Sequence, residues 1–468
     1  MIDSIAFYLF FISLAPLVKN GIIRLFYILL VLTLSLIDIC SVMFWDHINF
    51  PRVCEINLGV ILYTTKIFPF ITFATFVFII TNICLCFFVN AFTKISRKVI
   101  PVLFVTLMIF PGTLVAYKDV TKDACKYIAD QYRYKSWTLE RTARELGICN
   151  YHKLDDIYAH SGKNLVMIYC ESFESEFLKN EFTNLMPGVH ELVDSGEFKV
   201  YSNYNMMQGA HATVNAIYAT CTGFPLFDPV NCTNKSRQYS FIDVLRKANY
   251  DCRFLGDNQN HLKNFDNFIY NLGFTLGFVN IDDNNKSIWG AHDKERFNAA
   301  KKLYQKMNQS NLPFCLSLLT ADTHFPNGFP DMSMDKYIDQ KIPRNSHEYT
   351  YACLSYLLHD FVKFVRSQPN ADDTVIVILG DHLLIGSEQI TPLTKKLNKY
   401  DRRVMLMTNK EIKGFKQDDP IAFYDMPNII LDLLEVDTNS RFGKYVIPEY
   451  SEKYINDHKE LFHVLANR

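Results

Sequence analysis

The sequence carries no surplus of either charge: Lys and Arg number 48, Asp and Glu 49, and the net charge is −1. A nucleic-acid binder usually has a basic excess on one face, so this balance argues against one. The 12 cysteines include no CxxC pair and no zinc-finger spacing, which excludes the common structural zinc modules. Internal repeats and low-complexity segments are also lacking, which excludes solenoid arrays and disordered tracts.

Charge is scarcest in the first 117 residues. Four apolar runs lie there, at about 3–18, 21–45, 68–92 and 99–117. Each approaches the roughly 20 residues a helix needs to cross a bilayer core. A cleaved signal peptide supplies only one short run, so 1–117 reads as a transmembrane domain of about four helices. The stretch 56–66 (INLGVILYTTK) adds a shorter apolar segment. Lys19 and Arg24 mark the first loop, and Lys94, Arg97 and Lys98 the third. The bias of basic residues toward the cytoplasm puts both loops inside, and everything after about 118 outside. Asp38 is the main charge within the runs, too little for the polar path of a transporter.

Residues 118–160 are polar with helical spacing around Trp137, and read as a linker helix region. Residues 161–468 have the mixed composition of an exported soluble domain. Nine cysteines fall outside the membrane runs, where disulfides form; their odd number leaves at least one thiol free. Cys170, inside an apolar run, is expected to be buried.

Short apolar runs punctuate the exported part at 164–170, 251–255, 314–320 and 374–379. Continuous runs of this length suit strands buried on both faces. The stretches 294–308 and 347–367 between them have helical spacing. Such alternation predicts an α/β domain with a mostly parallel sheet, whose sites gather past the carboxyl ends of the strands. Chemistry-bearing residues follow every run. Glu171 follows the first, Asp257 the second, Asp322 and His324 the third, Asp381 and His382 the fourth. Carboxylates with an imidazole suit a divalent ion such as Mn²⁺ or Zn²⁺, which also offsets repulsion among clustered acids.

The segment 209–225 (GAHATVNAIYATCTGFP) begins at Gly209 and runs into a small-residue helix near Thr213. From this segment alone the Thr213 hydroxyl serves equally well as helix N-cap or as nucleophile toward a phosphoryl group held at the helix N-terminus.

These residues, in this order, resemble the membrane-anchored transferases of the alkaline phosphatase-like (sulfatase) superfamily. The likeness is greatest to the phosphoglycerol transferase I family of osmoregulated periplasmic glucans; lipoteichoic acid synthases and lipid A phosphoethanolamine transferases are more distant. It covers roughly 164–410. The strand ending in Glu171–Ser172, the Gly209-to-Phe227 segment with Thr213, the Thr320-to-Phe329 segment with His324, the Trp289–Gly290–Asp293 element, Asp381–His382 and Asp401–Arg402 carry it.

The resemblance implies an alkaline phosphatase-like catalytic domain at 161–468, with Glu171, Thr213, Asp381 and His382 holding one divalent metal ion, Mn²⁺ before Zn²⁺ or Mg²⁺. It implies Thr213 as catalytic nucleophile, with His324, Asp257 and His261 binding substrate. Where lipoteichoic acid synthases place a His, a Trp and an Arg around the headgroup, this sequence has Leu255 and residues near Leu262 and Asn264, with His261 and Lys263 close by. The Cys-x-Pro-x-Arg motif of sulfate-ester hydrolases is absent, since the stretch from Cys221 to Pro225 lacks its Pro and Arg. The implied activity is transfer of phosphoglycerol from phosphatidylglycerol, through a phosphothreonine, to a glycan hydroxyl. The implied location is a bacterial cytoplasmic membrane, with the enzyme domain in the periplasm or outside the cell. The rival is phosphoethanolamine transfer from phosphatidylethanolamine to lipopolysaccharide or a surface glycan. A lipid-cleaving hydrolase and a non-catalytic receptor on an inactive enzyme domain stand behind these.

Overall fold

The computed structural model describes residue 129, then 132–134, 136–148, 154–227, 239–257, 265–279, 286–287, 289–385, 391–398 and 402–466. The runs expected to cross a membrane lie outside the described residues. Among those described, no helix is long and apolar enough to do so. The chain divides into two compact units, Met1–Ser136 and Trp137–Arg468. Within the expected linker region a short helix, α1 (Leu139–Glu145), starts at Thr138, whose hydroxyl accepts a hydrogen bond from the Arg141 N–H.

The second unit is built on a seven-stranded sheet. Its strands are β1 (Asn164–Cys170), β2 (Lys199–Val200), β3 (Asp251–Asp257), β4 (Thr275–Val279), β5 (Phe314–Leu319), β6 (Thr374–Gly380) and β7 (Leu406–Thr408). The spatial order is β2-β7-β6-β1-β5-β3-β4, with β1 central. The five strands from β6 to β4 are parallel; β7 and β2 join the β6 edge antiparallel. The run 164–170 forms β1 residue for residue, and the other three runs form β3, β5 and β6 with ends moved by one or two residues. Strands β2, β4 and β7 have no counterpart among the expected runs.

Period-2 alternation between two buried faces explains why the run that forms β1 is almost wholly apolar. Leu165, Met167 and Tyr169 of β1 enter one core, while Val166, Ile168 and Cys170 enter the other. The first core is closed by α3 (Thr213–Thr222), α4 (Phe241–Lys247) and α7 (Met426–Leu433). The second is closed by α2 (Pro187–Asp194), α5 (Asp293–Asn308) and α6 (His347–Arg366). Each fully buried Val, Leu or Ile side chain stabilises such a sandwich by roughly 1.5–3 kcal/mol. Capping fixes where helices begin: Ser346 caps α6 through the Tyr349 N–H, and Ser240 with Asp243 forms a capping box at α4.

Register carries the fold to the site. Cys170 of β1 lies opposite Gly380 of β6, and Tyr169 opposite Leu319 of β5. The residues after β1, β5 and β6 therefore emerge at one rim. A side chain at Gly380 would put its Cβ 2.1 Å from the Phe173 carbonyl oxygen, so only glycine lets the loop after β1 fold over β6. The five described cysteines, Cys170, Cys221, Cys252, Cys315 and Cys353, are buried with free thiols.

Candidate active site

Glu171 leaves β1 and turns at once. Ser172 has a left-handed backbone (φ 54°), a conformation that a non-glycine residue holds only under constraint. From the neighbouring strand, Asp381 and His382 follow Gly380 directly. Glu171, Asp381 and His382 are all buried, and each offers a donor atom within 4.8 Å of the other two. His382 Nε2 lies 3.3 Å from Glu171 Oε1 and 3.6 Å from Asp381 Oδ2. The Nδ1–H of His382 donates to the Leu383 carbonyl (2.9 Å), which commits that nitrogen and turns Nε2 toward the carboxylates.

Thr213 is the first residue of α3, and Ala212 takes the cap position. Its hydroxyl donates to Asp381 Oδ2 (2.8 Å) and lies 3.5 Å from Glu171 Oε2. Of the two roles open to it from sequence, it therefore does not hold the N-cap. The motif that carries it closes on itself. Gly209 (φ 74°) meets the far end of the segment, where the Leu226 N–H donates to its carbonyl at 3.1 Å. Asn215 donates to the Leu226 carbonyl, and Gly223 (φ 74°) ends the helix in the left-handed region.

The donor set fits a divalent cation. Two buried carboxylates and one imidazole nitrogen converge, with Thr213 Oγ1 at their edge. Burial, and then the nearby Glu171 charge, push the Asp381 carboxyl up to about 7. Burial alone would lower His382, but Asp381 and Glu171 raise it above the ordinary histidine range. Burial is the larger cause at Asp381, and in both shifts neighbouring carboxylates push the group upward, a negative charge that a bound cation would relieve. Cys221, whose stretch lacks the sulfate-ester hydrolase motif, is buried on α3 beside the Tyr169 hydroxyl (3.7 Å), and burial raises its thiol far above the usual range.

A second set of contacts surrounds this group. Glu174 is fully buried; its carboxylate accepts from Arg402 Nε (2.8 Å) and from the Leu384 N–H (2.7 Å), while Arg402 Nη2 donates to the Leu384 carbonyl (2.7 Å). Sequence reasoning gave Glu174 no role. Its segment, CESFESEF, carries three acids among two phenylalanines, and nothing in it marks Glu174 as the one that is fully buried. Arg402 stood in a recognised motif but without a function.

His324 lies close enough to His382 and Asp381 to sense both charges. Burial lowers it to about 4, and its Nδ1–H donates to the Phe325 carbonyl (2.9 Å). The Trp289 ring packs on it, centroids 4.3 Å apart. Asp322, which sequence placed at the same rim, is outside the metal group; it binds His292 Nδ1 (2.8 Å) and the Asp293 N–H (2.9 Å). Asp257 closes β3, with only its backbone described, and His261 lies outside the described residues.

Comparison with known proteins agrees with this architecture. A family model described as Sulfatase matches residues 163–436, more than half of the chain. Phosphoglycerol transferase I of Salmonella typhi is 27% identical over 317 residues, which is 64% of this chain and 41% of that protein. The corresponding protein of Escherichia coli O127:H6 is 27% identical over 300 residues, 60% of this chain and 38% of its own. The matched part thus spans about two fifths of those relatives. The lipoteichoic acid synthase LtaP of Listeria monocytogenes superposes with a TM-score of 0.50 at 18% identity, covering 66% of this chain and 82% of that one. The integral membrane lipooligosaccharide phosphoethanolamine transferase A of Neisseria meningitidis superposes with the same score at 11% identity, covering 93% and 88%. At such identities the superpositions speak for the fold alone.

Proposed function

This chain belongs to the Sulfatase family, and on that premise we propose that it is a membrane-anchored phosphoglycerol transferase. It would take the group from phosphatidylglycerol, hold it on Thr213, and pass it to a hydroxyl of a periplasmic or surface glycan. Residues 1–117 would anchor it in a bacterial cytoplasmic membrane and 118–160 would link the anchor to an enzyme domain at 161–468 outside. The observation that carries the reading is the Thr213 hydroxyl, 2.8 Å from Asp381 at the start of α3 and beside the buried Glu171–Asp381–His382 group. The relatives named phosphoglycerol transferase I favour this headgroup.

Glu171, Asp381 and His382, with Thr213 Oγ1, would hold one divalent ion, Mn²⁺ before Zn²⁺ or Mg²⁺ for this oxygen-rich set. When bound, it would acidify the threonine hydroxyl and neutralise phosphoryl oxygens. Thr213 opens α3, and a helix N-terminus favours an anionic group.

In the first displacement Thr213 Oγ1 forms a bond to phosphorus and the ester bond to diacylglycerol breaks. The threonine proton is given up to solvent, since Asp381 Oδ2, which accepts its hydrogen bond here, would be taken as a ligand. His324 starts neutral, with Nε2 as its open nitrogen. An entering phosphate favours its protonated form, which then donates to a phosphoryl oxygen and supplies the departing alkoxide with a proton. In the second displacement neutral His324 takes the proton of the acceptor hydroxyl, that oxygen bonds to phosphorus, and the Thr213 bond breaks, its oxygen regaining a proton from solvent. Asp257 and His261 would contact the headgroup.

Intact-mass spectrometry tests this directly. The full chain in detergent is incubated with Mn²⁺ and either phosphatidylglycerol or phosphatidylethanolamine, wild type beside Thr213→Ala. A phosphoglycerol-sized adduct that Thr213→Ala abolishes is expected. A phosphoethanolamine-sized adduct instead would move the assignment to that headgroup, and equal diacylglycerol release by both proteins without an adduct would end the Thr213 mechanism.

A further inference from the structure

Glu171 and Asp381 each carry two carboxylate oxygens, and only one of each faces Thr213. The structure assigns that selection to Ser172, which we infer is the residue that orients both acidic donors of the candidate metal group. This inference rests on the metal reading above and adds a role that the reading leaves unassigned.

Three contacts define it. The Ser172 N–H donates to Asp381 Oδ1 at 2.8 Å, and the His382 N–H donates to the same oxygen at 2.7 Å. The Ser172 hydroxyl donates to Glu171 Oε1 at 2.7 Å. Oδ1 is thus committed to the turn, while Oε1 is shared between the Ser172 hydroxyl and His382 Nε2, 3.3 Å away, which leaves Oδ2 and Oε2 as the second oxygens of the pair. Those two are the ones near the threonine: Asp381 Oδ2 at 2.8 Å and Glu171 Oε2 at 3.5 Å.

The left-handed backbone is what allows one residue to do this. With φ at 54° the Ser172 N–H turns toward β6 while its side chain folds back on the preceding glutamate. An extended backbone would send the side chain to the opposite face from Glu171. The fully buried position is held from outside as well, since the Tyr351 hydroxyl donates to the Ser172 carbonyl at 2.7 Å. A serine kept in a costly conformation, with hydroxyl and amide both spent on candidate ligands, is organised for those ligands.

Two substitutions separate this role from a purely structural one. Ser172→Ala removes the hydroxyl and keeps the turn strained. Ser172→Gly removes the hydroxyl and also relieves the strain. If the hydroxyl orients Glu171, both variants bind metal more weakly despite opposite effects on the backbone. The full chain in detergent, stripped with EDTA, is titrated calorimetrically with Mn²⁺ and separately with Zn²⁺, and melting is followed without metal. The expected result is a 10- to 100-fold weaker Kd in both variants, with Ser172→Gly melting no lower than Ser172→Ala. Wild-type affinity in either variant overturns the role. Wild-type protein that binds neither ion overturns the metal reading itself, and the Ser172 role with it.

Discussion

Asp293 and Asp322 each accept a hydrogen bond from the other's backbone: the Asp293 N–H donates to Asp322 Oδ2 at 2.9 Å, and the Asp322 N–H to Asp293 Oδ2 at 3.2 Å. Asp293 Oδ1 also takes the Ala321 N–H at 2.7 Å. Both carboxylates are buried. The pair locks the segment before α5, with Trp289, to the turn after β5, with His324. Two motifs that sit 31 positions apart in sequence thereby place an indole against an imidazole at the candidate site.

Replacing Asp293 with Asn should loosen this lock. An amide presents one acceptor where the carboxylate presents two, and its NH₂ group would face a backbone N–H. The expected destabilisation is about 1–3 kcal/mol, the cost of leaving one buried group unsatisfied. Urea denaturation of wild type and variant measures it, and an unchanged midpoint would show that the lock contributes nothing.

The same cluster makes stability depend on pH. Burial alone would lower His292, but the Asp322 carboxylate raises it, to about 9. A raised folded-state pKa stabilises fully below the ordinary value of 6.5, and that contribution is lost as pH climbs through 9. Asp293, pushed up to about 8 by burial and then by Asp322, moves stability in the same direction at lower pH. His292→Asn should therefore be less stable than wild type at pH 6, by a margin that shrinks by about 3 kcal/mol on going to pH 10. Denaturation midpoints at pH 6, 8 and 10 decide it; a constant margin would mean that the Asp322 charge is not felt by His292.

Glu174 and Arg402 invite a double substitution. Arg402→Met leaves a carboxylate buried without its partner, which costs about 3–5 kcal/mol. Pairing that change with Glu174→Gln removes the stranded charge and keeps an acceptor for the Leu384 N–H, so most of the stability should return. A double variant no more stable than Arg402→Met alone would show that the guanidinium acts through packing rather than charge.

The sequence made the centre of the domain legible and its margins much less so. β1, β5 and β6 announce themselves because burial on both faces makes nearly every residue apolar; β3 shows less plainly, with Asp251 and Arg253 half-buried at its start. Glu171, Asp381 and His382 could be proposed together because parallel strands end at one rim, whereas Thr213 joined them only through the family resemblance of its helix segment. The two-residue strand β2 and three-residue β7 carry too few side chains for any period to show. Ser172 and Glu174 were overlooked because their roles come from a backbone angle and from a partner 228 positions away. Asp322 looked like a rim ligand, since nothing in its own segment reveals that Asp293 and His292 already occupy it.

Gly380 offers a sharp steric test. In Gly380→Ala the new methyl meets the Phe173 carbonyl at 2.1 Å and Val404 Cγ1 at 2.6 Å. Val404 can move aside, but the carbonyl belongs to the main chain that carries Glu171 and Ser172. The expected loss is about 3 kcal/mol, at the upper end for overpacking. Thermal melting checks it, and a wild-type melting temperature would mean that the loop after β1 is freer than its contacts imply.

Metal removal and Asp381→Asn should act in opposite directions on the same group. Two buried acids in one site repel each other, and Asp381 is already displaced upward by its burial and then by the Glu171 charge. In EDTA the neutral amide removes the repulsion while keeping an oxygen for the Ser172 and His382 N–H groups, and its NH₂ can still pair with Thr213. The metal-free variant should thus melt above metal-free wild type. Adding Mn²⁺ reverses the order: wild type gains about 2.7 kcal/mol at a free concentration 100-fold above its Kd, whereas the variant has lost a charged ligand and gains little. Melting curves of both proteins in EDTA and in Mn²⁺ give the four values needed. If Mn²⁺ stabilises the two proteins equally, the ion binds somewhere other than Glu171, Asp381 and His382.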